Sequence, residues 1–301
     1  MTENSLSENS GRVAPNQKFL YFPPGMRSLK FLAALVYRFL YRVNRAVLLR
    51  KRAPLPNAPK LFVVGSFRAG GAGKTPVVAA LAREFLSQKK RVLVLAHSKA
   101  FDEVAWLKKA LPAATVVATR NRYGALRSLA PDFDVALCDD GFEDSRLFPD
   151  EVILLDWGEA ACRLSELVPL GGLRSLRSDH PEVTRVWRCS GEAPEVKFRI
   201  DSVRNENGAP LQKSAGATLI CGLGDPERFS RDLENFGVKI SRKIFRKDHD
   251  RAFGSAFQNV PTPIVISEKD RVRLPEKLPK HLRQAVYIAH QVAEIPGTFR
   301  S

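Results

Sequence analysis

The chain has 301 residues, 44% of them hydrophobic, and carries 48 Lys and Arg against 32 Asp and Glu, a formal charge of +16. That is the composition of a soluble globular protein, with chain enough for one large domain or two and an ample core. The four cysteines, Cys138, Cys162, Cys189 and Cys221, show no metal-ligand spacing and suit a reducing compartment as buried small hydrophobes.

The charge is unevenly placed. Between Glu8 and Glu84 there is no acidic residue, while fourteen Lys and Arg fall in that interval. Such a field attracts polyanions: nucleic acid, an anionic membrane surface or a phosphorylated substrate. The plain alternative is a solvated basic face. Residues 1–27 are expected to form a disordered tail, polar over its first part. Glu3, Glu8 and the lack of an apolar stretch there argue against a signal peptide.

Residues 28–53 are expected to be a basic amphipathic helix and its end. No apolar run approaches the roughly 20 residues that span a bilayer. Arg38, Arg42 and Arg45 share one helical face, and Phe31, Leu35, Phe39 and Val43 share another. Such a helix fits the membrane interface. The alternative is a helix packed on the domain with its arginines in water. A proline-rich link at 54–59 follows.

Leu61–Val64 reads as a short buried strand, and Val77, Val78, Ala80, Leu81 and Phe85 recur at helical spacing. Between them lies Gly70-Gly71-Ala72-Gly73-Lys74-Thr75-Pro76. Strand, glycine loop and helix is the setting of a phosphate-binding loop. The glycines let backbone N–H groups approach phosphate oxygens, and the helix adds its free N–H groups and positive end. Lys74 is expected to reach the β- and γ-phosphates, and Thr75 to hold Mg²⁺. Arg68 stands at the loop's first consensus position, where Gly is usual.

Further along, Arg91–Leu95 reads as a second strand, His97–Glu103 as a loop, Val104–Leu111 as a helix and Thr115–Ala118 as a third strand. A helix over 125–129 precedes Asp134–Gly141, a strand ending in Asp139 and Asp140, and Glu151–Asp156 is another strand. This alternation predicts an α/β fold, a mostly parallel sheet with helices on both faces, over 54–195. Residues 196–215 read as a hairpin linker. A smaller α/β domain over 216–301 follows, with strands near 218–222, 239–245, 263–267 and 285–289 and a helix near 226–236.

Val135 to Asp139 fits a Walker B element, an apolar strand whose terminal acid holds Mg²⁺, and Asp140 adds to the same ion site. Phosphoryl transfer also needs a group to take the acceptor's proton. Asp102-Glu103 and Asp248-His249-Asp250 are candidates. Their plain alternatives are a helix cap and turn chemistry.

Several stretches together resemble the tetraacyldisaccharide 4'-kinases of lipid A biosynthesis, in family order from about residue 29 to 290. They are Gly70–Pro76, Asp102-Glu103, Asp139-Asp140-Gly141-Phe142, Val168–Arg174, Cys221–Phe229, Asp248-His249 and Ser267-Glu268-Lys269-Asp270. The resemblance implies an ATP- and Mg²⁺-dependent P-loop kinase on the cytoplasmic face of a bacterial inner membrane. Its acceptor would be the 4'-hydroxyl of a tetraacyldisaccharide 1-phosphate, a lipid A precursor. It implies a base at Asp102, supported by His249, with Arg174 and Arg122 as charge stabilisers. It implies a membrane-surface partner, no nucleic acid and no obligate protein partner.

The sequence departs from the family pattern at His97–Ala100, at Glu143-Asp144 in place of Gln-His, at Asp250 in place of a second His and at Ser175 in place of Glu. One rival reading is an ATP-binding protein of the same fold with an altered acceptor or lost turnover. Ala69, where nucleotide-switch ATPases carry a signature Lys, argues against that class. The lack of an Asn-Lys-x-Asp element argues against a GTPase, and no helix-turn-helix, zinc or aromatic RNA-binding signature supports a nucleic-acid binder.

Overall fold

Two largely parallel sheets frame the computed structural model, which describes residues 24–49, 54–68, 70–158, 163–212, 216–248, 250, 253–275 and 278–297. The first sheet contains β1 (Lys60–Gly65), β2 (Val92–His97), β3 (Thr115–Thr119), β4 (Val135–Asp139), β5 (Glu151–Asp156) and β6 (Arg185–Arg188). Their order is β3-β2-β4-β1-β5-β6, with every pairing parallel. The apolar runs of β1, β2, β4 and β5 are buried almost throughout, as a parallel sheet covered on both faces requires. β1 sits between β4 and β5, so the carboxyl ends of β1 and β4 are neighbours, and that edge is where such sheets bind ligands.

Helices α1 (Pro24–Leu49), α2 (Lys74–Ser87), α3 (Phe101–Ala110) and α4 (Arg122–Leu129) belong to this half. The second sheet holds β7 (Lys197–Asn205), β8 (Ala217–Cys221), β9 (Ile240–Phe245), β10 (Ile264–Ser267) and β11 (Val286–Glu294), in the order β7-β11-β10-β8-β9. Only β7 runs antiparallel to its neighbour. Helix α5 (Pro226–Asn235) and the short helices α6 (Glu268–Arg271) and α7 (Lys280–Gln284) complete it. The core is shared: Val78, Leu81 and Phe85 of α2 lie in one cluster with Phe62 of β1, with Val196, and with Phe198 of β7.

Four expectations change. Residues 197–205 are not a linker: Ile200 and Val203 point into the second core, and the strand pairs with β11 over its length. The turn at Asn205–Gly208 does fold the chain back, with Leu211 N–H donating to the Val203 carbonyl at 3.0 Å. Asp102 and Glu103 lie in the first turn of α3 rather than in a loop, a place where carboxylates are favoured by the helix's positive end. The edge strand β6 went unforeseen because Trp187 is its one buried residue. Helix α1 starts at Pro24, inside the stretch expected to be tail. Residues 1–23 of that stretch lie outside the described residues.

α1 is docked the opposite way round from a soluble amphipathic helix. Arg38 and Arg42 pair with Asp179 at 3.2 and 3.5 Å, and Arg45, only 7% exposed, pairs with Glu182 at 2.5 Å. Phe31, Leu32, Leu35, Phe39, Leu40 and Val43 are left facing out. Among the described residues no helix is long and apolar enough to cross a membrane. Cys138, Cys189 and Cys221 are buried free thiols; Cys162 lies outside the described residues.

Candidate active site

The glycine loop runs from the end of β1 into α2. Gly71 and Gly73 have positive φ, 69° and 79°, which an L side chain rarely tolerates. Gly73 caps α2, so Lys74, Thr75 and Pro76 form its first turn, where proline's missing N–H costs no hydrogen bond. Both glycines also face the second half at close range. A Cβ on Gly71 would lie 2.8 Å from the Gly224 carbonyl carbon, and one on Gly73 would lie 2.4 Å from the Phe198 ring. Behind the loop, Trp157 Nε1 donates to the Ala72 carbonyl at 3.1 Å. Arg68 is drawn into a bridge with Leu173.

The strand ends bring the expected ion-site residues together. Thr75 Oγ1 donates to Asp139 Oδ2 at 2.9 Å. Asp139 Oδ1 is buried and has no hydrogen-bond partner. Burial, with the nearby Glu103 and Asp140 carboxylates, pushes the Asp139 carboxyl up to about 7. A carboxylate so placed favours a cation. The hydroxyl and carboxylate donors are all oxygen and fit a hard divalent ion.

Asp140 follows with φ 52° and turns its carboxylate to two cations. Lys74 Nζ is 3.4 Å away and Arg174 Nη2 donates at 2.8 Å. Burial works against the Asp140 charge, but Lys74 and Arg174 outweigh it and hold the carboxyl below its usual range. Arg174 Nε also lies 3.1 Å from Glu143. The Arg174 backbone is held on both sides, its N–H donating to Phe67 O at 2.9 Å and its carbonyl accepting from Tyr37 of α1 at 2.8 Å. Arg122 is buried and donates to the Asp139 carbonyl at 2.9 Å.

Asp102 is fully buried, beside this cluster rather than in it. Its Oδ2 lies 3.8 Å from both Lys269 Nζ and Arg273 Nε of the second half. Lys269 also reaches Glu103 at 3.0 Å and Asp248 at 3.1 Å. Asp248 Oδ2 is 3.8 Å from where a Cβ on Gly70 would be, so this second cluster adjoins the glycine loop. His249 lies outside the described residues. Sequence reasoning assigned no role to Lys269 or Arg273. The only signal was Lys269's place in the Ser-Glu-Lys-Asp stretch.

The family model for tetraacyldisaccharide-1-P 4'-kinase matches residues 26–98 and 96–301. A tetraacyldisaccharide 4'-kinase from Sinorhizobium fredii is 30% identical over 83% of this chain and 82% of its own. One from Halothermothrix orenii is 26% identical over 80% of this chain and 79% of its own. Among solved structures, LpxK from Aquifex aeolicus in complex with ATP aligns with a TM-score of 0.68 and 22% identity, covering 89% of this chain and 95% of that one. The fold is therefore shared with that protein.

Proposed function

The chain belongs to the tetraacyldisaccharide-1-P 4'-kinase family, and from that premise we propose that it transfers the γ-phosphate of ATP to the 4'-hydroxyl of a tetraacyldisaccharide 1-phosphate. The observation that carries the reading is the meeting of Lys74, Thr75, Asp139, Asp140 and Arg174 at the ends of two adjacent parallel strands. That is the constellation phosphoryl transfer needs, since its catalysis is mostly positioning and charge stabilisation.

Gly70, Gly71, Ala72, Gly73 and the first turn of α2 offer backbone N–H groups to the phosphates, and Pro76 fixes that turn. Lys74 and Arg174 carry positive charge to the transferring group. Thr75, Asp139 and Asp140 would hold Mg²⁺, which would neutralise β- and γ-phosphate oxygens. The acceptor oxygen bonds to the γ-phosphorus as the bond to the leaving ADP oxygen breaks. Asp102 takes the hydroxyl proton, with His249 supporting it. Burial of Asp102 and the nearness of the second half to the glycine loop favour a site from which water is excluded.

The acceptor is a lipid, and α1 suits that. With Arg38 and Arg45 turned inward to acids and the largely exposed Arg42 reaching Asp179, the helix presents its apolar face outward, as a helix lying in a membrane interface does. Its Tyr37 touches Arg174, so the interface helix adjoins the phosphate site. This supports peripheral attachment at the cytoplasmic face of the inner membrane.

The test is ³²P transfer from γ-labelled ATP to a tetraacyldisaccharide 1-phosphate in detergent micelles with Mg²⁺, beside Lys74→Ala. Labelled lipid from the wild type alone supports the kinase. Nucleotide binding without labelled lipid from either protein refutes it and favours a binding protein that lost turnover.

A further inference from the structure

Just before β6, the segment Asp179–Glu182 grips α1 with three side chains. Asp179 pairs with Arg38 and Arg42, Glu182 pairs with Arg45, and His180 meets Tyr41. His180 is fully buried and also faces the candidate site. Its ring stacks on Phe142, with centroids 4.0 Å apart and planes 20° from parallel. Phe142 follows Asp140 and Gly141 and lies over the end of β1, where a Cβ on Gly65 would come within 2.3 Å of it. His180 Nε2 lies 2.9 Å from the Tyr41 hydroxyl and 3.0 Å from the hydroxyl of Ser175, the residue after Arg174. Nδ1 lies 2.9 Å from Glu182 Oε1. Burial holds the imidazole below its usual range, against Glu182. The Glu182 carboxylate, paired with Arg45, can only accept. Nδ1 therefore carries the ring's proton, and Nε2 accepts from a hydroxyl. Both nitrogens of this buried ring are thus used. The hydroxyls at Nε2 belong to α1 and to the segment that carries Arg174.

We propose that His180 is a positioning residue of the transfer site: its imidazole locks the Asp140–Phe142 and Arg174–Ser175 segments to each other and to α1, and so sets the pairing of Asp140 with Arg174. The proposal rests on that pair acting in phosphoryl transfer, as the kinase reading has it. Asp140 and Arg174 come from segments 34 positions apart and meet at 2.8 Å through half-exposed side chains. Such a meeting is exact only when the backbones beneath it are fixed by packing and hydrogen bonds. Phe67 and Tyr37 hold the Arg174 backbone itself. His180 is where both segments and α1 touch one side chain, the first by a ring stack and the others by hydroxyls. α1 thereby gains a second task besides facing outward, because Tyr41 closes this junction.

The experiment measures kcat per nucleotide-binding site and KM for ATP, with Mg²⁺ and saturating micellar acceptor. The proteins are the wild type, His180→Phe, Tyr41→Phe, Ser175→Ala, Arg174→Lys, and each of the first three variants combined with Arg174→Lys. His180→Phe keeps a flat ring on Phe142 but removes both nitrogens. Its kcat should fall by about 10- to 100-fold, the effect of a small misplacement at the site. KM for ATP should stay within about twofold, because the glycine loop is untouched. Added to Arg174→Lys, it should lower kcat little further, since both changes act on one pair. General damage to the fold would leave kcat per binding site unchanged or multiply with the loss from Arg174→Lys. If His180→Phe does not fold, Tyr41→Phe and Ser175→Ala each take one hydroxyl from the ring. Each should lower kcat by about threefold, again without multiplying. A wild-type kcat in folded His180→Phe, or in both hydroxyl variants, overturns the proposal while the wild type still transfers phosphate. Losses that multiply with that of Arg174→Lys overturn it as well. A wild type that binds ATP without transfer overturns the kinase reading instead.

Discussion

The outward face of α1 makes a quantitative prediction about membrane attachment. Phe39 and Leu32 lie two turns apart on that face and are 67% and 57% exposed. Fully burying a Phe or Leu side chain is worth about 1.5–3 kcal/mol, so sinking their exposed parts into lipid contributes about 2 kcal/mol for Phe39 and about 1 kcal/mol for Leu32. Replacing both with Ser should forfeit about 3 kcal/mol, which is about 100-fold in partition coefficient. The assay is co-sedimentation with vesicles of phosphatidylethanolamine and phosphatidylglycerol, with circular dichroism confirming that the variant is folded. Because neither side chain enters the phosphate site, turnover of a deacylated, water-soluble acceptor should be unchanged. Partition within about threefold of the wild type would mean that the apolar face is covered by something other than lipid, and the interface reading of α1 would fall.

Three further changes test the site and its supports. Arg174→Lys keeps the charge but not the two guanidinium nitrogens that both donate to Asp140; losing one charge-assisted hydrogen bond should cost about 1.5–3 kcal/mol, or about 10- to 100-fold in kcat, and an unchanged kcat would remove Arg174 from the charge-stabilising role. Arg45→Ala takes away one partner of Glu182, which keeps its bond to His180, so the change should cost about 1–3 kcal/mol and appear as faster amide exchange along α1; undiminished protection would show that the pair does not hold the helix down. Burial, against Arg228 and Arg231, raises Asp232 to about 6 in the folded chain, so the folded state binds the proton more tightly than the unfolded state does. Stability from this group is full below pH 4 and lost as pH rises toward 6, so Asp232→Asn should flatten that fall and raise stability at neutral pH by roughly 1 kcal/mol after allowance for partial exposure; parallel urea-melt profiles for the two proteins would refute it.

What could be read from the sequence was what the chain writes locally. A glycine loop, its Lys74-Thr75 and the helix after it are contiguous, and the apolar runs of β1, β4 and β5 are bounded by turns or acids, so strand, loop and helix were all legible. Their meeting followed from parallel topology alone, because adjacent parallel strands bring their carboxyl ends to one edge. The rest depended on partners far along the chain. Lys269 reaches Glu103 across 166 positions, and nothing near Lys269 announces three carboxylates. The arginines of α1 read as a polar face, yet Asp179 and Glu182, more than a hundred residues later, turn that face inward and leave the apolar one outside. For β7, half-buried alternation next to a turn is equally the pattern of a free hairpin and of an edge strand, and only the pairing with β11 decides between them. The two long-range surprises meet at the candidate site. One brings charge from the second half to Asp102, and the other brings a helix with an outward apolar face against the backbone of Arg174. The candidate phosphate loop is thus encoded in one local stretch, whereas the surroundings of Asp102 and the placement of α1 are assembled only when distant parts of the chain come together.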